Sequence, residues 1–571
     1  MQIVKQVTSL IKSALTNLNL VNDLKINLEH PADSKFGDYS CNVAMLLFKQ
    51  QDKFKNPRDL AQAIVDEIIN HQPSNISHLE VAGPGFINFY LSDQYFLENL
   101  SQNTEVKKIN SGKTAVVEYS SPNIAKPFTI GHLRSTIIGD AVANLLEATS
   151  YEVKRDNHLG DWGTQFGKMI YALLHLGAGN LEKNLAKIKN SSQPVKELVN
   201  LYVDFHKQAE VKPAMDDEAR AWFLKLEQGD AEAKQIWQTC IDLSWIEFDR
   251  IYSRLQVKFS ENHGRGYGES YFEDKMQVVL DELKEKKLLV ESEGAQLVFF
   301  PQEKYPPLML VKKDGATLYA TRDLATDNFR LKKYGSEILI VNEVGAEQSL
   351  YFKQIFEVEK MLAWVKDGQR VHVGHGLYRF KDKKMSTRKG EVIWLEDVLN
   401  EAVSRAGALA KNKLAAASTR KIAIGALKWN DLKRSAHLDV VFDFDEILSM
   451  DGNSGPYLQY AYVRAKSVLD LAPSFNLEIK NIELENAERE LLKQLSKFAE
   501  VVTKSATDYA PHHLCIYLFD LAQRFNSFYH ACPILQAEPE KKNLRLALTQ
   551  TTAQILQQGL NLLGIETVDK M

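Results

Sequence analysis

A change of hydrophobic period near residue 114 constrains the fold more than any other feature of the chain. Ala115–Tyr119 is an apolar run of strand length, the residues from Ser120 are small and polar, and Ile137, Ile138, Ala141, Leu145 and Leu146 then recur at helical spacing. A second strand is centred on Glu152–Arg155. Strand, loop, helix, strand is a βαβ unit, which requires a parallel sheet and puts ligands outside the carboxyl ends of its strands. The sheet pattern returns at Ile338–Val341 and Val371–Val373, so one sheet is expected to gather segments far apart in the chain.

The flanking regions differ in pattern. Residues 1 to about 109 open with an amphipathic helix (Ile3, Val7, Ile11, Leu15) and end in a strand at Phe86–Tyr90, after the turn Gly83-Pro-Gly85. The polar run Ser101–Lys113 reads as a linker. Residues 180 to about 255 are helical in pattern and look like an insertion, with a Trp237, Ile241, Trp245, Phe248, Tyr252 stripe that belongs to a core. Beyond Leu395 the pattern is almost wholly helical. The expected domains are therefore 1–110, 111–394 with its insertion at about 180–255, and 395–571.

Composition excludes several classes. With 44% apolar and 25% charged residues the chain is not mostly disordered. No run approaches the roughly 20 apolar residues of a membrane span. No secretory signal is seen, and the first arginine, Arg58, argues against an Arg-rich transit peptide. Four cysteines without a CxxC pair make a disulfide framework or Cys-based zinc site unexpected, so a soluble protein of a reducing cytoplasm, without protein-bound metal, is the expectation. The loose group His512, His513, Cys515, His530 and Cys532 has no zinc spacing, and Gly264-Arg-Gly-Tyr-Gly268 lacks the setting and lysine of a P-loop.

The net charge of −4 gives no hint of nucleic acid, but its distribution is uneven. Tyr378–Arg434 holds 14 Lys/Arg against 6 Asp/Glu, whereas Val440–Met571 holds 12 against 17. A concentrated basic segment suits phosphate, because screening confines each charge to about 10 Å; a solvated helix face is the plainer reading.

Chemistry concentrates in two stretches. Glu118-Tyr-Ser-Ser-Pro-Asn-Ile-Ala-Lys-Pro-Phe-Thr-Ile-Gly-His-Leu-Arg-Ser135 leaves a strand and enters a helix near Thr129–His132. A helix start offers free N–H groups and partial positive charge, Gly131 permits close backbone approach, and Lys126 and His132 could reach phosphate oxygens. Equally, Thr129 could merely cap the helix while His132 packs on the sheet. Lys383-Lys-Met-Ser-Thr-Arg-Lys-Gly390 follows the strand Arg370–Gly374 and reads either as a phosphate clamp or as a solvated turn.

Taken together, Thr129-Ile-Gly-His132 and Lys384-Met-Ser-Thr387 resemble the HIGH and KMSKS elements with which class I aminoacyl-tRNA synthetases grip ATP. Ser121-Pro-Asn-Ile-Ala-Lys126, His158-Leu-Gly-Asp-Trp-Gly-Thr-Gln-Phe-Gly167, Leu318-Tyr-Ala-Thr-Arg-Asp-Leu324 and Met385-Ser-Thr-Arg-Lys-Gly390 are similar to arginyl-tRNA synthetases specifically. Gly83-Pro-Gly-Phe-Ile-Asn88, Tyr460-Ala-Tyr-Val-Arg464 and Leu560-Asn-Leu-Leu-Gly-Ile565 extend the resemblance to both ends.

The resemblance implies an α/β protein: a Rossmann-type parallel-sheet catalytic domain with a helical insertion, an α+β N-terminal domain that binds the tRNA elbow, and an all-α C-terminal anticodon-binding domain. It implies ligation of L-arginine to its tRNA through an arginyl-adenylate, with ATP entering as its Mg²⁺ complex, tRNA needed for activation, and a monomeric enzyme. Carried over, arginine would be held by Glu118, Ser121, Asn123, Tyr319, Asp323 and Gln348; ATP by Thr129, Gly131, His132, Lys384, Met385 and Ser386; and catalysis by Lys126, Thr129, His132, Lys384 and Arg388. Acceptor-only carboxylates suit a planar, permanently charged guanidinium, and Asp323 follows Tyr319 by four residues, on one face of a helix. The plainer reading of Asp323 is a pair with Arg322 or Arg330. Phe86, Asn88, Tyr457 and Tyr460 are expected on tRNA, although ordinary packing would explain the tyrosines. Thr129 stands where HIGH has its first histidine and Thr387 where KMSK has its last lysine, with Lys126 in a compensating place. Those departures leave a second reading, a non-catalytic tRNA- or arginine-binding paralogue of the same fold.

Overall fold

A computed structural model describes residues 2–20, 24–31, 33–71, 73–380, 393–410, 414–472, 474–475 and 482–571. The chain divides into two compact units. The first contains residues 1–106, 460–503 and 517–558; the second contains 107–459, 504–516 and 559–571.

In the first unit the helix Gln2–Asn17 buries Ile3, Val7, Ile11 and Leu15, the stripe its sequence defines. Four antiparallel strands, β1 (Leu28–Glu29), β2 (Tyr39–Cys41), β3 (Ile76–Ala82) and β4 (Phe86–Leu91), pair in the order β1-β2-β4-β3. The helices contributed by the later segments are anchored to this portion: Glu500 accepts from the Tyr39 hydroxyl (2.8 Å), and Arg489 pairs with Asp93.

The second unit is built on a parallel sheet. β5 (Thr114–Glu118) and β6 (Glu152–Asp156) are joined by the helix Gly131–Ala148, completing the βαβ unit. The insertion follows as helices, ending in the long helix Ala231–Leu255. A small antiparallel sheet of β7 (Leu289–Ser292), β8 (Ala295–Val298) and β9 (Leu308–Val311) leads to the helix Tyr319–Tyr334. β10 (Leu339–Gly345) and β11 (Arg370–His375) then complete the main sheet, in the order β11-β10-β5-β6. β12 (Tyr378–Phe380) pairs in parallel with β13 (Val440–Phe442).

That order fixes the ligand crevice. From β5 the chain moves to β6 on one side, while β10 and β11 add on the other, so the connections diverge between β5 and β10. At such a switch point the carboxyl ends of neighbouring strands open away from each other. Alternation along β5 divides its side chains between two faces. Val116 and Ile340 pack against Leu331 and Tyr334 of the helix Tyr319–Tyr334. On the other face lies the helix Gly131–Ala148, so close that a Cβ on Gly139 would come within 2.1 Å of the Tyr119 Cβ.

Candidate active site

The loop leaving β5 is strained and heavily restrained. Ser120, Ser121 and Ala125 have φ of 75°, 44° and 55°, a left-handed region that costs a non-glycine residue of order 1–3 kcal/mol. Its backbone is held from three directions. Ser120 N–H donates to Ser135 Oγ (2.9 Å), Ser121 N–H to Asn157 Oδ1 (3.0 Å), and Ile124 N–H to the Gly160 carbonyl (3.1 Å). From the insertion, Ser244 accepts from Ala125 N–H (3.0 Å) and Glu247 from Phe128 N–H. These two bonds bracket Lys126. Burial pushes the Glu247 carboxyl up to about 7, against the opposing pull of Arg250. Asn123 rests directly on Gly160, where a Cβ would lie 2.3 Å from the Asn123 Oδ1. Gly160 belongs to the His158–Gly167 motif, but nothing in the sequence marks Ser244 or Glu247, whose contribution is contact with a loop distant in the chain.

Thr129 does not cap the following helix. The N-cap position is Ile130, without a side-chain cap, and Thr129 turns to His132. Its backbone N–H donates to His132 Nδ1 (3.0 Å), and its hydroxyl lies equally near that atom. An Nδ1 that accepts carries no proton, so the neutral ring keeps its proton on Nε2 and presents it as a donor. Burial holds the His132 pKa below the usual histidine range, and His375 adds to that effect. A Cβ on Gly131 would meet only Thr129 Oγ1, at 3.4 Å; the protein itself leaves that space open.

Lys384, Met385, Ser386 and Arg388 lie outside the described residues, as does Thr387. The chain immediately beyond them returns to the loop: Ile130 N–H donates to the Ile393 carbonyl (3.1 Å) and Leu395 N–H to the Phe128 carbonyl (2.9 Å).

Across the sheet lies an acidic group with its own cations. Arg330 is buried and pairs with Glu118, with Asp156 (2.7 Å) and with Asp327 (3.1 Å), while Arg370 reaches Asp327 (2.6 Å) and Glu359 (2.9 Å). Burial opposes ionisation of Glu118, but Arg330 and His158 together outweigh it and hold the carboxyl below its ordinary range. Arg330 therefore takes Glu118 and not Asp323; it lies nearly two helical turns further on and points at the ends of β5 and β6. Arg322 is also occupied elsewhere, with Glu269 and Glu273. Asp323 accepts from the Tyr351 hydroxyl and stands 3.9 Å from His158 Nε2. His158 Nδ1 is bonded to the Tyr267 carbonyl (3.1 Å), which requires a proton on Nδ1. Burial raises the Asp323 pKa, with His158 only partly opposing.

The remaining expected positions are brought to the same end of the sheet. Tyr319 opens its helix, 68% exposed, one turn before Asp323. Gln348 is exposed on the turn Ala346–Gln348 directly after β10. Ser121 Oγ is buried without a partner among the described residues. Of the expected tRNA contacts, Phe86 and Tyr460 are exposed, the latter beneath Arg464 (4.9 Å). Asn88 is 2% exposed and its Oδ1 accepts from Ser40 Oγ (2.7 Å), so that side chain is turned into the sheet rather than to a partner.

Such a crevice, with a donor-rich helix start on one face and acceptors on the other, is that of a class I aminoacyl-tRNA synthetase, an ATP-using catalytic domain. Residues 96–444 match the family model of the class I (R) tRNA synthetase catalytic domain, residues 5–91 that of the arginyl tRNA synthetase N-terminal domain, and residues 458–571 that of the DALR anticodon binding domain. An arginine–tRNA ligase of Clostridium botulinum is 40% identical over 95% of this chain and 96% of the relative; one of Fusobacterium nucleatum is 37% identical over 99% of both. The solved arginyl-tRNA synthetase of Plasmodium falciparum superposes with a TM-score of 0.82 at 25% identity, covering 100% of this chain and 99% of that one. The Thermus thermophilus structure shares the fold with a TM-score of 0.83 at 22% identity, covering 99% and 100%. The chain belongs to the arginyl-tRNA synthetase family.

Proposed function

We propose that the protein joins L-arginine to its cognate tRNA in two steps at this crevice. The arginine carboxylate attacks the α-phosphate of ATP, forming arginyl-adenylate and releasing pyrophosphate. A terminal ribose hydroxyl of tRNA, the 2′-hydroxyl in this class, then attacks the activated carbonyl and AMP leaves. The observation that carries the reading is the convergence of the Thr129–His132 helix start and the Glu118–Asp323 acceptors on one switch point.

Glu118, Ser121, Asn123, Tyr319, Asp323 and Gln348 are assigned to arginine. Asp323, its pKa raised in the free protein, has most to gain from an incoming guanidinium. Lysine, a point charge without the planar fork, would leave acceptors unpaired. Thr129, Gly131 and His132, with Lys384, Met385 and Ser386, are assigned to ATP. His132 Nε2–H and the Lys126, Lys384 and Arg388 cations stabilise charge growing on the phosphate oxygens, so catalysis rests on placement and electrostatics. Mg²⁺ arrives with ATP as substrate. Residues 1–110 are assigned to the tRNA elbow and 395–571 to the anticodon, with Phe86, Tyr457 and Tyr460 as contacts. The enzyme is taken to be a cytoplasmic monomer; among the described residues no helix is long and apolar enough to cross a membrane.

Arginine-dependent ATP–pyrophosphate exchange, with and without arginine tRNA and with lysine as control, tests this. Exchange with arginine and tRNA only is expected. No exchange with arginine or tRNA still bound would establish the non-catalytic paralogue.

A further inference from the structure

Two buried groups at the carboxyl ends of β10 and β11 have no part in the scheme above. The Glu343 side chain is wholly enclosed, yet only one carboxylate oxygen is satisfied: Oε1 lies 2.8 Å from His375 Nδ1, and Oε2 is buried with no partner among the described residues. His375 is 13% exposed, and among the described residues its Nε2 is unpartnered. Register places Glu343 beside Val373 and His375 two residues further along the same face of β11. That face carries the Gly131–Ala148 helix, whose Ser135 hydroxyl donates to the Glu343 carbonyl (3.2 Å).

The arrangement is costly for a purely structural role. Two apolar side chains could join β10 to β11 without burying a carboxylate. Glu343 instead fixes the imidazole by Nδ1 and leaves Nε2 without a partner among the described residues, an arrangement in which one group orients the proton donor of another. It also supplies what the neighbouring residues lack. Thr129 carries no charge, and burial holds the His132 pKa below the usual histidine range. A carboxylate at Nδ1 favours the doubly protonated ring, in which Nε2–H is a charged donor.

We infer that His375, oriented by Glu343, is a phosphate-binding residue that donates from Nε2 to a phosphate oxygen of the bound nucleotide. The inference rests on the nucleotide reading above and deepens it. Its partner chemistry is a polyphosphate, whether the triphosphate of ATP or the departing pyrophosphate.

The test uses the full-length protein in exchange assays with saturating arginine and tRNA. His375→Phe keeps a planar ring and removes the donor; about a tenfold rise in KM for ATP is expected, with KM for arginine unchanged and the melting temperature within a few degrees. Inhibition by tripolyphosphate should weaken by a similar factor, and inhibition by adenosine should not. His375→Gln, which retains an N–H, should recover part of the loss. In the wild type, KM for ATP should rise with pH as the imidazolium is lost, a dependence absent from His375→Phe. The charged and titratable groups that act on the ring are Glu343 on β10, His132 and Arg134 on the 131–148 helix, Asp431 on the helix Ala416–Leu432, and His372 on β11 itself. An unchanged KM for ATP in His375→Phe, or a loss confined to adenosine, overturns the assignment. A fall in ATP and arginine use together with the melting temperature would make the pair structural, and also overturns it. Failure of the wild type to exchange at all would instead strike the proposed function itself.

Discussion

The two faces of the main sheet handle charge in opposite ways. On the face of the Tyr319–Tyr334 helix, Arg330 and Arg370 thread Glu118, Asp156, Asp327 and Glu359 into one buried network. On the face of the Gly131–Ala148 helix, the His132 and His375 rings are each fixed through Nδ1 with Nε2 left over. A network whose charges pair with one another chiefly holds geometry, although Arg330 Nε and both Glu359 oxygens remain without hydrogen bonds among the described residues; a group tied by one end only is positioned and still available. The Arg330–Arg370 network should therefore answer to mutation in stability, and the His132 and His375 rings in rate.

Breaking the closed network gives the largest expected effect. Arg330→Met leaves three carboxylates facing one another without their shared cation, and losing one partner of a buried pair costs about 3–5 kcal/mol. Burial already opposes ionisation of Asp327, with Arg370 and Arg330 holding its carboxyl down. Denaturant unfolding of the variant should show that loss. Stability within about 1 kcal/mol of wild type would mean that the network relaxes freely, and the contrast between faces would collapse.

His132→Ala tests the other side. Removing a preorganised donor from developing phosphate charge typically lowers kcat about 10²–10³-fold. Here the loss should come with an unchanged melting temperature, since the ring's other nitrogen serves only Thr129. A variant that melts early while keeping its kcat would reverse the assignment of the two faces.

Thr129 sharpens the contrast within the open face. Its hydroxyl is 3.0 Å from His132 Nδ1, but its backbone N–H makes a bond of the same length to the same atom. Thr129→Val keeps shape and backbone and should lower kcat only about fivefold, the worth of one hydrogen bond near 1 kcal/mol. Thr129→Ser should remain near wild type. Equal losses in both variants would show that methyl packing, not the hydroxyl, steadies the ring.

How much of this was legible in the sequence follows the range of the interactions. The βαβ unit, the insertion and the Gln2–Asn17 helix were readable because hydrophobic period is local: Ile3, Val7, Ile11 and Leu15 are all buried as their spacing requires. Motif order placed Glu118, His132 and Asp323 at one crevice. What Glu118 does there was not legible, because its partner Arg330 is 212 residues away and nothing in either neighbourhood names the other. The same holds for Ser244 and Glu247, which grip the backbone around Lys126 from the insertion, and for the pairing of Glu343 with His375 across two strands. Asn88 differs for another reason: a polar residue in a motif reads as a surface contact until its burial and the bond that its Oδ1 accepts from Ser40 on the adjacent strand are seen.

The smallest effect is a pH dependence that separates Asp323 from the network beside it. Glu118 and Asp327 have pKa values held low by arginines, so neither should titrate in the working range. Asp323 makes no ion pair with an arginine among the described residues; burial raises its pKa, and His158 and the Tyr351 hydroxyl offset this only in part. Arginine binding needs the carboxylate, so affinity is complete above the raised pKa of the free protein and falls as pH drops through it. A bound guanidinium pulls that pKa down, and binding must then release a proton. Arginine affinity measured by calorimetry should therefore weaken severalfold as pH falls through the raised Asp323 pKa, with proton release visible as a dependence of the binding heat on buffer. Asp323→Asn should bind arginine weakly and without that slope. If instead the wild type binds equally well across the range while Glu118→Gln alters the slope, the responsive carboxylate is Glu118, and the face taken to be closed is open at its edge.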